Sequence, residues 1–242
     1  MTQWNAVSRS LTETLGLSSA PIAMSFLSSD QGAPAEVPPI DHPMSEPTED
    51  GRSGRAPASC VFWMEAQRGP FSTASADHGN CSVGRWVHGF ATLDDIVSAS
   101  DVAALFQSGW VTNEDVGKVK VMEPGYDGIV YGPLGEASVE PDVVLLRLNP
   151  RQMMELADAV PNLELSGKPQ CQIVAKAKAG QPSVSMGCAL SRQRTGMGAE
   201  ELTFAIAASD LPAVVERLQS VVGADRAVEG YAQAELPRFS RT

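Results

Sequence analysis

The sequence predicts a mixed α/β fold: one globular unit made of two pseudo-symmetric halves, with helices packed on mixed sheet. Three observations predict it. Apolar runs of strand length, PIAMSFL from Pro21, DVVLLRL from Asp142 and ELTFAIAA from Glu201, intermix with segments whose apolar residues recur at helical spacing, in both halves of the chain. A pattern of cysteine, arginine, serine and glycine recurs after roughly 110 residues. The 242 residues, 43% hydrophobic and 19% charged, are enough to bury a substantial core.

The elements follow in order. Trp4, Val7, Leu11 and Leu15 lie at helical spacing with polar residues between them, which predicts an amphipathic first helix rather than a signal peptide. PIAMSFL is a buried strand. Residues 30–58 carry six prolines, many acids and few large apolar side chains, so they read as a long solvated loop or a mobile flap over a site. Prolines before Cys60 and Cys171, and glycines nine residues after them, frame two short helices, although VAKAKAG also fits a strand. Two further helices start at Cys81 and Cys188 and stop at Gly89 and Gly196. GKVKVMEPGYDGIVYGPL reads as two strands about a Pro-Gly turn, and DVVLLRL as a buried strand. NPRQMMELADAV is a helix with Asn149 as N-cap and Pro150 at its first position. ELTFAIAA is a strand, and SDLPAVVERLQSVV a helix with Leu211, Val214, Val215, Leu218 and Val222 on one face. The chain divides into a half over 1–110, connecting strands over 111–140 and a half over 141–242, in one compact domain.

The repeat supplies the candidate site. Cys60, Gly69 and Ser72 match Cys171, Gly180 and Ser183 at an offset of 111; Cys81, Arg85 and Gly89 match Cys188, Arg192 and Gly196 at an offset of 107. All four cysteines occupy matched positions, as an internal duplication with one lengthened loop would leave them. Ala-Ser-Asp also recurs, at Ala99–Asp101 and Ala208–Asp210. Matched elements meeting at a pseudo-axis would give two thiol ligands from each half, a set suited to zinc or to an iron–sulfur cluster. The spacings of 21, 90 and 17 residues match neither a zinc ribbon nor a ferredoxin run. A redox thiol pair and plain core packing are the other readings of four cysteines. Arg85 and Arg192, one turn beyond Cys81 and Cys188, are candidates to hold a small anionic molecule or to offset thiolate charge. His78, three residues before Cys81, is the candidate proton donor; His88 and His42 have weaker cases.

A net charge of −11 and the lack of a basic patch exclude a phosphate-backbone partner, and no run is long enough to span a bilayer. The expectation is a cytoplasmic protein with reduced cysteines. It carries no dinucleotide fingerprint, phosphate loop or nucleophile elbow. The sequence leaves open whether the chain assembles as a homo-oligomer.

The order of PIAMSF, Cys60, DHGNC around Cys81, LNPRQMMELADA and CQIVAKAKAGQPSVSMGCALSR resembles the bacterial and archaeal family known as domain of unknown function 169, from about residue 11 to residue 222. Its members are common in anaerobes and methanogens, so the resemblance shifts the expected cofactor from zinc to iron–sulfur, with [4Fe–4S] favoured. The function then expected is that of an iron–sulfur redox or lyase-type enzyme acting on a small anionic molecule or with a redox partner. The alternatives are a zinc-stabilised binding module and a cofactor-free protein with packed cysteines.

Overall fold

The computed structural model describes residues 3–40 and 59–239, and it is a mixed α+β fold with ten α-helices and seven strands among them. Helix α1 (Gln3–Leu15) buries Trp4, Leu11 and Leu15, the stripe predicted by their spacing. Strand β1 (Ile22–Ser28) follows, then α2 (Ser59–Glu65) and β2 (Phe71–Ala74). After them come α3 (Ser82–Val87), α4 (Leu93–Ile96), α5 (Ser100–Gln107), α6 (Asn113–Val116) and β3 (Tyr126–Pro133). The second half runs β4 (Val143–Leu148), α7 (Pro150–Ala159), β5 (Glu164–Ser166), α8 (Gln172–Lys178), β6 (Ser183–Ser185), α9 (Ala189–Thr195), β7 (Leu202–Ala207) and α10 (Leu211–Phe239). Of the acidic, proline-rich stretch, residues 41–58, with His42, lie outside the described residues.

All seven strands form one sheet in the order β2-β3-β1-β4-β7-β6-β5. Every pairing is antiparallel except the parallel β5–β6 edge. Read outward from the central β1–β4 pair, β1-β3-β2 on one side corresponds in order to β4-β7-β6 on the other. The correspondence is incomplete, since β5 pairs parallel with β6 and has no described counterpart beyond β2. The Ala-Ser-Asp echo does not fit it, since the first copy opens α5 ahead of β3 and the second follows β7.

The central strands are continuous apolar runs because both faces of the sheet are covered, and the side chains of a strand alternate between them. Val143 and Leu145 enter one core with Met24, Phe62, Ile173, Cys60 and Cys171, while Val144, Leu146 and Leu148 enter the other with Leu11, Leu156, Leu211 and Leu218. The first core carries Cys60 and Cys171, with Cys81 packed against it. Only one of the two strands expected over 117–133 forms. β3 already pairs with β1 and β2 on its two edges, so no edge is left for residues 117–122. Their backbone turns elsewhere: Lys120 N donates to the Gln172 side chain and Met122 N to the Val87 carbonyl. Of the VAKAKAG stretch, Val174 to Lys178 is helical, within α8, and Ala179 is its C-cap. Among the described residues no helix is long and apolar enough to cross a membrane.

Candidate functional site at the four cysteines

Cys60 lies in the first turn of α2 and Cys171 immediately before α8, both buried. Cys81 and Cys188 are the N-caps of α3 and α9. In each the sulfur accepts the third backbone N–H of the helix, from Gly84 and from Ser191, at 3.4 Å in both cases. A cysteine thus takes the place usually held by Ser, Thr, Asp or Asn, with unpaired amides and the positive end of the helix beside its sulfur. The helices stop where glycine was expected to stop them, with Gly89 at φ +78° and Gly196 at φ +61°.

These elements bring all four cysteines into the wall of one pocket, a cavity of about 30 Å³ that they share with Leu105, Trp110, Gln170, Leu190, Ser191 and Arg194. Leu105 and Trp110 come from the α4–α6 stretch, which lies between Gly89 and β3; between Gly196 and β7 only a short loop intervenes. The thiols influence one another. Burial, then the neighbouring Cys81 and Cys188, pushes the Cys60 thiol up to about 12. Cys171 is raised well above the usual thiol value, by burial and then by the other three cysteines. Cys81 is raised by burial, against which the Arg194 guanidinium works. No three His, Cys, Asp or Glu side chains among the described residues close together as a metal ion's ligands.

The other predicted site residues are placed differently. Arg192 donates to the backbone carbonyls of Met186, Gly198 and Glu201, so it clamps the loop before β7 and does not line the pocket. Arg85 lies near His78 and Asp95, on both of which its charge acts, and is also absent from the pocket wall. The physical reason is the capping geometry. An N-cap side chain folds back over the second and third helical residues, so the face it shares is Leu190, Ser191 and, one turn beyond Leu190, Arg194. His78 is fully buried in the core beside Phe62 and Phe90, with Nε2 3.0 Å from Thr73 Oγ1. Burial, then the nearby His88 and Arg85, holds it well below the usual histidine range. The ring packs within the core and does not line the four-cysteine pocket. His88 caps the end of α3 and is also fully buried.

Two contributors escaped the sequence reading. Arg194 and Gln170 have no chemical match in the first half, where the same offsets give Val87 and Ser59, so the repeat does not mark them.

Comparison with curated proteins and with solved structures finds no match. A family profile does match, that of the domain of unknown function 169, described as "Uncharacterised ArCR", and it covers residues 10–217. Those residues hold every strand of the sheet and all four cysteines. The chain belongs to this family.

Proposed function

We propose that Cys60, Cys81, Cys171 and Cys188 ligate one iron–sulfur cluster, of the [4Fe–4S] type, and that the protein is a redox or lyase-type enzyme acting on a small anionic molecule beside it. One observation carries the reading: four cysteines spread over 129 residues of sequence line a single pocket. The donor set supports it, since the wall offers four thiols and neither carboxylate nor imidazole, and soft sulfur ligation suits iron–sulfur clusters. Backbone N–H groups on the sulfurs of Cys81 and Cys188 are of the kind that tune a cluster's potential. A cluster spaces its ligand sulfurs roughly 6–7 Å apart, against about 4 Å around one zinc ion, so this reading does not require four sulfurs closed on a point. A bonded sulfur also stands much nearer its metal, about 2.3 Å, than a van der Waals contact, so the bound group needs less room than its free size.

The raised thiols set the chemistry of loading. In the cofactor-free protein Cys60 and Cys171 hold their protons, and ligation must displace them, so loading releases protons and strengthens as pH rises. Arg194 supplies a fixed positive charge against the thiolates, and Leu105, Trp110 and Leu190 exclude water on their side of the pocket. The anion-holding role expected of Arg85 and Arg192 passes in this reading to Arg194 and to the cavity described below.

Purification without air tests the proposal. The expected product is brown, with about four iron and four acid-labile sulfide per chain, both reduced severalfold when any one of the four cysteines is replaced by alanine. Colourless protein with one zinc would select the binding-module alternative; colourless protein with neither metal would select packed thiols. Either outcome rejects the cluster.

A further inference from the structure

A cavity of about 410 Å³, of the size that holds small molecules, opens where β4 ends and α7 begins. Arg147 and Glu201 in its wall also line a smaller cavity with Cys60 and Gln170. Cys60 and Gln170 line the four-cysteine pocket in turn. The three spaces thus share walls in series, with the Arg147–Glu201 pair standing between the outer cavity and Cys60.

The walls specify the occupant. Arg147 offers five donors. In the described contacts its Nε goes to Glu201 and one terminal nitrogen to the Met64 thioether at 2.9 Å. A thioether is a weak acceptor, whereas a carboxylate accepts from a guanidinium through two parallel bonds, so an entering carboxylate outcompetes it. The pair is open to exchange, the Arg147 and Glu201 side chains being 22% and 18% exposed. Around it the wall offers further acceptors, Glu200 and Ser19, whose buried Oγ has no partner among the described residues. Further in, Gln170 is only 3% exposed. Its amide nitrogen donates to Thr203 Oγ1 at 2.7 Å, and its buried Oε1 has no described partner.

From these groups we infer that the outer cavity binds a small hydroxy- or amino-carboxylate. The carboxylate takes Arg147 in place of Glu201, and the hydroxyl or ammonium groups donate to Glu200 and to Ser19 Oγ. That the molecule is a substrate rests on the cluster proposed above; its binding does not.

The probes are glycolate, L-malate, citrate, L-serine and L-glutamate, set against acetate, glycerol and ethanolamine, each of which carries only part of the recognised chemistry. Calorimetry and ligand-observed NMR measure binding to the full chain, with and without its metal, and iron content is measured separately. At least one of the five is expected to bind more tightly than all three comparison compounds. Arg147→Met is expected to weaken it tenfold or more, and Glu201→Gln, which weakens the internal competitor, to strengthen it severalfold. A general loosening of the fold would not move the two variants in opposite directions, and Glu201→Gln alone decides the matter if Arg147→Met fails to fold. No binding by any of the five, or a shift of both variants in the same direction, overturns the inference. Binding by colourless, iron-free protein upholds it while rejecting the cluster, and iron-loaded protein that binds none of the five does the reverse.

Discussion

His88 is fully buried, and neither ring nitrogen has a partner among the described residues. Burial depresses its pKa to about 4. Below pH 6.5 the unfolded chain takes up a proton that the folded ring refuses until about pH 4, so stability is lost as pH falls through that interval. The loss from this residue is on the order of 3 kcal/mol. Urea unfolding of the cofactor-free protein between pH 4 and pH 8 is expected to show it, and His88→Leu to flatten the slope; a slope unchanged in that variant would mean that the ring is hydrated. His78, depressed in the same direction, adds a component of the same sign. At this scale the cysteines were legible because the repeat marks them twice, whereas histidine burial was not. A His in the polar run SADHGNC looks solvated, yet the chain turns it onto Phe62 and Phe90. Arg192 was misplaced because counting from the cysteine treats an N-cap as though it were a helical residue.

Capping makes the short helices of the site definite, and their terminal glycines are unequal. At Gly196 a Cβ would meet nothing within 4 Å, so Gly196→Ala carries only the left-handed backbone cost of about 1 kcal/mol. At Gly89 a Cβ would stand 2.8 Å from the Glu123 carbonyl oxygen, and the backbone of the segment leading to β3 must shift as well. Gly89→Ala is expected to cost several kcal/mol, adding steric overlap to the same conformational cost, and to disturb α3 and hence Cys81. Thermal unfolding of the two variants side by side measures the difference; equal losses would show that the 117–125 segment yields freely. A helix with a cap and an amphipathic stripe was legible with nearly correct ends, as α7 shows, whereas the segment of α8, without a side-chain cap, read equally as a strand. The phantom strand at 117–122 has strand-like composition, but pairing depends on which sheet edges remain vacant, a property of the assembled molecule that no local pattern carries.

The mixed α/β class followed from interleaved strand and helix patterns, and the burial of β1 and β4 from their largely apolar runs, which only serines and Arg147 interrupt. The sheet order did not follow, because antiparallel pairing across distant segments leaves little local trace. It joins the two cysteine-bearing halves along a seam of only three residue pairs, Ile22 with Leu145, Ala23 with Val144 and Met24 with Val143. Asp142 ends the seam: its backbone N–H donates to the Met24 carbonyl, and its carboxylate accepts the Phe26 N–H and pairs with Lys178 at 2.5 Å. With Cys60 and Cys81 on one side of that seam and Cys171 and Cys188 on the other, a group bonded to all four is a covalent tie across the junction, closing a chain loop of about a hundred residues much as a disulfide would. Amide exchange at the seam reports it directly. In the loaded protein the seam amides of Met24 and Leu145 are expected to exchange only through global unfolding. After chelation or oxidative loss of the centre they are expected to exchange at least tenfold faster, through local openings that separate the two halves while each keeps its own strands.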